Sequence, residues 1–436
     1  MHQTNTRLRF TTLGFALGLL ALVSTPLLHA LEARHGTHHK PAAGASRAAK
    51  SSPKAPAHAK GPSARTHSHL KATPKPTASS DRAVAGTHLV RGRKGHLIRV
   101  TTFRHTSRER FYASSFTHSE ILVDGDNATG EDPVVRQAAI DALGNMNGTA
   151  LAIDPSNGRI LAMVNQKLAL SRGAEPCSTI KLTVALAALQ EGIVRRDTPV
   201  AIAPRFHLTL TEALAHSNNL YFETLGRLLG FDRVKFYANQ FGLGELAGYN
   251  IPGEQLGVYP DHELPASAGG VGKMCSFGES VSMTPLQLGA IVSAIANGGT
   301  LYYLQHPQTP EEIATFEPKI KRTLDIKELI PEMTDGMQAV TEYGTGRSLR
   351  TNFNTFPVLG KTGTCSNNGT RFGWFGSYAD TPKGRIVTVI FLEGGRPTFG
   401  PKAAELTGQF YRALYDNHYF ETHPTVTEGV TTISNQ

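Results

Sequence analysis

Residues 148–166, GTALAIDPSNGRILAMVNQ, decide how the chain is read. Gly148 to Pro155 runs small and branched apolar residues together as a strand does, Ser156-Asn157-Gly158 forms a tight turn, and Arg159 to Gln166 returns as a second strand. Asn-Gly between two apolar runs signals a hairpin because both residues accept the positive φ that a short reversal demands. Outward from this hairpin, Pro176 introduces a helix from about Ser178 to Glu191, rich in Leu and Ala and closed by Gly192. Between Asp197 and Tyr343 the pattern is mostly helical, with long loops. Strands return at Pro357 to Cys365, Phe372 to Tyr378 and Ile386 to Glu393, and an amphipathic helix follows from about Lys402 to Tyr415. This order predicts an α+β domain: an antiparallel five-stranded sheet covered by helices, with a mostly helical lobe attached. Ligand sites favour the cleft between two such lobes.

The whole chain has 436 residues, 40% hydrophobic and 18% charged, so it contains a globular core. Its mean hydropathy of -0.22 excludes a multi-span membrane protein, and the absence of a glycine period excludes a collagen-like one. The net charge of +9 is unevenly placed: residues 1–110 carry 19 Lys and Arg against three Asp and Glu, whereas the remainder carries 25 against 32. The basicity therefore belongs to a low-complexity segment, which suits an anionic wall or membrane surface and gives no ground for nucleic acid as a partner.

Arg7 and Arg9 precede an apolar run from Leu13 to Val23 that continues to Ala30, a positive region followed by a hydrophobic one of secretory length. Residues 1–31 read as a signal peptide or an inner-membrane anchor, and export is expected in either case. Residues 32–110 read as a disordered basic linker, since Ala, Pro, Lys, His, Ser and Thr offer little apolar surface to offset the entropy of ordering. Its histidines His35, His38 and His39 lack the structured partners that a metal site needs. Within it, residues 88–111 recover some β-branched alternation, enough for an edge strand or arm. Residues 111–145 are expected to be a short arm, 146–418 the folded domain and 419–436 a flexible tail. The three cysteines, Cys177, Cys275 and Cys365, are odd in number, so at least one thiol is free or pairs with another chain.

Three short motifs carry chemistry. Ser178-Thr-Ile-Lys181 opens the first helix of the domain; residues three apart share a helix face, so a lysine there can take the proton of the serine hydroxyl. Ser51 to Lys54 and Ser68 to Lys71 repeat the spacing, but neither stands in a foldable context, and Pro53 spoils the first. Ser217-Asn218-Asn219 offers a second hydroxyl and an amide just before a helical run, for moving a proton and gripping a peptide group. Such clusters also mark caps and turns, as Ser366-Asn367-Asn368 illustrates. Lys361-Thr362-Gly363-Thr364 sits on a predicted strand, where Gly363 lets a ligand backbone approach and the lysine and threonines can hold a carboxylate.

In this order the three resemble the SxxK, SxN and KTG motifs of the penicillin-binding protein and serine β-lactamase superfamily. Residues 148–166, Ala187 to Gly192 and Trp374 to Tyr378 resemble that superfamily's flanking segments. Ser276 to Leu288, Ala294 to Thr300 and Thr345 resemble the transpeptidase domain of its high-molecular-weight penicillin-binding proteins. The resemblance covers about residues 145–415. It departs at Cys177, where a small residue is usual, in the short approach to Ser178, and at Glu279-Ser280.

The resemblance implies a serine D,D-transpeptidase that cross-links peptidoglycan stem peptides through an acyl-enzyme on Ser178, with Lys181 as base and Ser217 as proton carrier. Asn219 would bind the peptide amide, Lys361, Thr362, Gly363 and Thr364 the terminal carboxylate end, and the N–H groups of Ser178 and Thr364 the oxyanion. It also implies β-lactam binding, contact with cell-wall synthesis or division proteins, a periplasmic or other extracytoplasmic location, and no cofactor or metal. A D,D-carboxypeptidase, a serine β-lactamase and a non-catalytic penicillin-sensing module stand as alternatives; the motifs contain no dedicated carboxylate base to activate water. Superfamily geometry would place Cys177 and Cys365 on opposite walls of the site. They are expected to be reduced, small packing residues, because a bond across the cleft would obstruct substrate.

Overall fold

The computed structural model describes residues 110–421 and the backbone of two strands before them, Val84–Arg91 and Leu97–Arg104. Those two strands pair antiparallel as a sheet of their own, inside the stretch expected to be a disordered linker with an edge strand or arm at residues 88–111. The expected signal or anchor, the histidine cluster and the tail beyond residue 421 lie outside the described residues. Among the described residues, no helix is long and apolar enough to cross a membrane.

The hairpin of residues 148–166 forms as expected. Its strands are Gly148–Asp154 (β1) and Arg159–Val164 (β2), paired antiparallel. The Asp154 carboxylate accepts from Ser156 N, Ser156 Oγ and Asn157 Nδ2, and Gly158 takes φ +79°, so the reversal is held by its own polar side chains. The late strands are Val358–Asn367 (β3), Thr370–Thr381 (β4) and Gly384–Gly394 (β5). Together they make one antiparallel five-stranded sheet in the order β2-β1-β5-β4-β3, so β3 is an edge.

Both faces of this sheet are covered. Leu151, Ile153, Val387, Val389 and Phe391 face one core, while Ala150, Ala152, Ile386, Ile390 and Leu392 face the other, following the two-residue alternation of strands. On the second face lie the helices Pro133–Leu143 (α1) and Gly400–Asp416 (α8). Helix α1 falls in the segment expected to be a short arm; Asp132 caps it by accepting from Val134 N and Val135 N, with Pro133 at its first position.

On the first face, Lys181–Gln190 (α2), Leu210–Ala215 (α3), Asn219–Leu229 (α4), Gly270–Phe277 (α5), Pro285–Asn297 (α6) and Ile330–Glu342 (α7) build the helical lobe and its packing against the sheet. Helices α2 and α6 are apolar almost all round, which suits helices enclosed by neighbours. The lobe is not purely helical: Val200–Ala203 pairs with Phe206–Leu208, and Thr300–Tyr302 with Ile320–Thr323.

Candidate active site

Three elements meet at one point. A single 3-10 turn, Cys177–Ile180, leads into α2, so Ser178 stands at the turn and Lys181 at the first position of the α-helix. The link from α3 to α4 is tight: Asn218 caps α4 by accepting from Tyr221 N, and Ser217 is pushed to φ +53° at the tip. Strand β3 brings Lys361 alongside. Its start is tied to α7 by Thr341 Oγ1 donating to Val358 O at 2.6 Å.

Lys181 Nζ lies 2.7 Å from Ser178 Oγ and 2.7 Å from Asn219 Oδ1, and 3.3 Å from both Ser217 Oγ and Ser217 O. Lys361 Nζ donates to Ser217 Oγ at 2.8 Å and to Thr362 O at 3.1 Å. The five side chains therefore form one continuous chain: Ser178, Lys181 with Asn219, Ser217, Lys361. Both lysines are fully buried. Burial drives the Lys181 amine well below the usual lysine range and the positive charge of Lys361 drives it further, while Glu223 opposes. Burial alone lowers Lys361 to about 7. The rings of Phe222 and Phe277, 5.6 and 6.0 Å from Lys181 Nζ, form the apolar wall responsible for part of that desolvation.

Such an arrangement can activate a hydroxyl. An amine held neutral beside a serine has a lone pair for its proton, and the second hydroxyl lies between this amine and another. Asn219 spends its carbonyl oxygen on Lys181, which leaves its Nδ2 donor to a ligand. Thr362 Oγ1 pairs with Thr345 Oγ1 at 2.6 Å, and Thr364 Oγ1 accepts from Gly400 N at 2.8 Å, which ties this end of the site to the first turn of α8. At Gly363 a Cβ would lie 2.8 Å from Pro176 O, so glycine is required by the close approach of β3 to the 3-10 turn.

Residues 148–415 match the family described as the penicillin binding protein transpeptidase domain. The chain belongs to that family. Stage V sporulation protein D of Bacillus subtilis is 30% identical over 258 residues, 49% of this chain and 39% of that protein. Peptidoglycan D,D-transpeptidase MrdA of Acinetobacter baumannii is 26% identical over 344 residues, 62% of this chain and 50% of that protein. The chain thus spans half or less of the length of these two relatives. In fold it is similar to the solved D,D-transpeptidase domain of a peptidoglycan glycosyltransferase from Eggerthella lenta, with TM-score 0.54, 20% identity, and coverage of 76% of this chain and 95% of that one.

Within this transpeptidase domain the sequence-predicted residues Ser178, Lys181, Ser217, Asn219, Lys361, Thr362, Gly363 and Thr364 all come together, but two roles look different in three dimensions. Lys361 points its amine at Ser217 Oγ and Thr362 O rather than into open space. Thr364 has its hydroxyl oxygen occupied by Gly400 N. Sequence reasoning missed Phe222 and Phe277, whose signal is only their position on helices that turn out to flank Lys181. It also missed Glu175, three residues before the nucleophile candidate, whose carboxyl is raised to about 7 by burial and by Glu279, with Lys273 opposing.

The expectation for the cysteines is corrected. Cys177 and Cys365 form a disulfide, with their Cα atoms 5.5 Å apart, and Cys275 is the free, buried cysteine, its thiol pushed up to about 12 by burial. The pairing is possible because the 3-10 turn packs directly on β3, with Cys177 fully buried and Cys365 partly buried at that contact.

Proposed function

We propose that this chain is a D,D-transpeptidase that forms an acyl-enzyme on Ser178 with peptidoglycan stem peptides and is acylated at the same atom by β-lactams. The observation that carries the reading is the 2.7 Å contact between Lys181 Nζ and Ser178 Oγ, with the proton affinity of the amine lowered by burial first and then by the charge of Lys361.

Ser178 Oγ attacks the carbonyl carbon between two terminal D-alanines while its proton passes to Lys181 Nζ. The carbonyl oxygen, now negative, is met by the N–H groups of Ser178 and Thr364; in other hydrolases such a donor is worth about 3–4 kcal/mol. As the C–N bond breaks, Ser217 gives its proton to the departing amine and is reprotonated from the lysine side, so that D-alanine leaves neutral. An acceptor peptide amine then attacks the ester carbonyl, returns its proton along the same relay and releases Ser178. Asn219 Nδ2 holds the donor peptide amide, and the O–H groups of Thr362 and Thr364 donate to the terminal carboxylate while their oxygens accept from Thr345 Oγ1 and Gly400 N, with Lys361 behind them. No cofactor enters the scheme.

Because such peptides are assembled into wall outside the cytoplasm, the site belongs on that side of the membrane, with residues 1–31 as exporting signal or anchor and the basic residues 32–83 facing anionic wall or membrane. Other wall-synthesis or division proteins are the expected partners. The test is exchange: a peptide ending in D-Ala-D-Ala is incubated with the protein and a labelled D-amino acid. Transpeptidation incorporates the label and loses it in Ser178→Ala. Release of D-alanine without incorporation would assign a carboxypeptidase, and rapid clearance of penicillin a β-lactamase.

A further inference from the structure

We propose, on the basis of that reading, that the Cys177–Cys365 disulfide is a positioning device for acyl transfer, holding the two oxyanion-binding N–H groups at a fixed separation. Each half-cystine is one residue from a donor: Cys177 directly precedes Ser178, and Cys365 directly follows Thr364. The two donors belong to different parts of the fold, one to the turn that opens α2 in the helical lobe and the other to the edge strand of the sheet. A tetrahedral oxyanion is stabilised only if both N–H groups reach the same oxygen, so a drift between lobe and strand is lost directly from the transition state.

Local backbone supports this assignment. Cys177 stands at φ +52°, a left-handed conformation that glycine adopts freely and a cysteine does not. The cysteine makes sense through its bond, which holds the backbone immediately before Ser178 in that conformation. Around the bond, the turn also packs on the sheet through Trp374 Nε1, which donates to Glu175 O at 3.0 Å, and through Gly363 against Pro176 O and Thr179 Cγ2; the disulfide is the covalent tie among these contacts. Cys177 is fully buried and Cys365 partly buried where the turn meets β3. Cys177 and Cys365 touch neither substrate nor reacting atoms; they are positioning residues.

The experiment measures single-turnover acylation by a fluorescent penicillin across a concentration series, in the wild-type full chain, Cys365→Ala and the double variant Cys177→Gly/Cys365→Ala. Mass spectrometry counts the fraction of molecules that can be acylated, so the rate is expressed per competent molecule. Glycine at 177 accepts the positive φ unaided, which separates relief of backbone strain from loss of the tether. Both variants should lose about ten- to hundredfold in the limiting acylation rate, less than the hundred- to thousandfold lost when an oxyanion donor is removed outright, with the half-saturating concentration changed less than about threefold. A merely structural bond would lower the competent fraction and the melting temperature and leave the rate per competent molecule within threefold of wild type; that result would overturn the inference. A wild-type chain that is not acylated at all would remove the functional reading itself, and this inference with it.

Discussion

Two amines share the interior at Ser217, and their protonation sets both stability and chemistry. Lys361 in the folded chain titrates at about 7, against 10.5 for an ordinary lysine. Below pH 7 the unfolded chain and the folded one both hold that proton, and the folded state bears the full cost of a buried charge. Between about 7 and 10.5 the unfolded chain binds more protons than the folded one, so the stability contributed at this residue rises with pH and the cost is gone at the upper end. Lys361→Met should therefore raise the melting temperature at pH 7 and below, and the gain should shrink towards pH 10. The same substitution should cut acylation at least a hundredfold by breaking the contact to Ser217. It also removes the charge that depresses Lys181, so the acid limb of any residual acylation should move to higher pH. A pH series of melting curves and acylation rates checks both halves; a variant less stable at pH 6 than wild type would contradict the account.

At the scale of elements, α6 shows how local rules and packing cooperate. Thr284 and Gln287 form a reciprocal capping box with Pro285 between them, and Gly298 at φ +94° closes the helix. Its body is enclosed on every side, and Gly289 lets the helix settle on the sheet, since a Cβ there would lie 2.5 Å from Ile153 Cδ1. Thr284→Ala should cost about 1–2 kcal/mol of unfolding free energy, because the orphaned Gln287 N–H is buried and no water replaces the cap; denaturant titration measures it. Elements of this kind were legible. Asn157-Gly158 gave the hairpin, and strands β3 to β5 and helix α8 fall where their apolar periods place them. Helix α1 was not read, although Asp132-Pro133 and Gly144 bracket it, because three of its five buried residues are alanines that gain their value only against α8 and the sheet. The hairpins at 200–208 and 300–323 have strands of three or four residues, too short for a two-residue period to register.

Over the whole molecule, the segment before the sheet is bound by charge as well as by α1. Arg136 pairs with Asp126 at 2.9 Å and Glu131 at 2.8 Å, and Glu131 also meets His306 at 2.9 Å, all with side chains largely out of solvent. The same acids accept from Met163 N, Asn165 N and Gln166 N at the end of β2, so the network joins the lead-in, the hairpin and the connection between the strands Thr300–Tyr302 and Ile320–Thr323. Removing Glu131 leaves Arg136 paired with Asp126 but takes the acceptor from Met163 N and the partner from His306. Glu131→Ala should lose about 1–3 kcal/mol, measured by denaturant unfolding, while the penicillin acylation rate of the folded fraction stays near wild type.

The site itself was legible for a related reason: its three motifs each sit on a rigid element, and short spacings such as Ser178 to Lys181 survive folding unchanged. What could not be read were contacts between elements distant in sequence. The aromatic wall of Phe222 and Phe277, and the bond between Cys177 and Cys365, 188 residues apart, depend on how closely the 3-10 turn approaches β3. Gly363 hinted at that closeness, but no spacing rule converts it into a distance.

The central claim is that Ser178, activated by buried Lys181, is the nucleophile. Intact-protein and peptide mass spectrometry after mixing with penicillin tests it most directly. One penicilloyl group should appear, mapping to Ser178, lasting minutes or longer, and absent from Ser178→Ala and Lys181→Met; an adduct on any other residue, or one that persists in Ser178→Ala, would contradict the account.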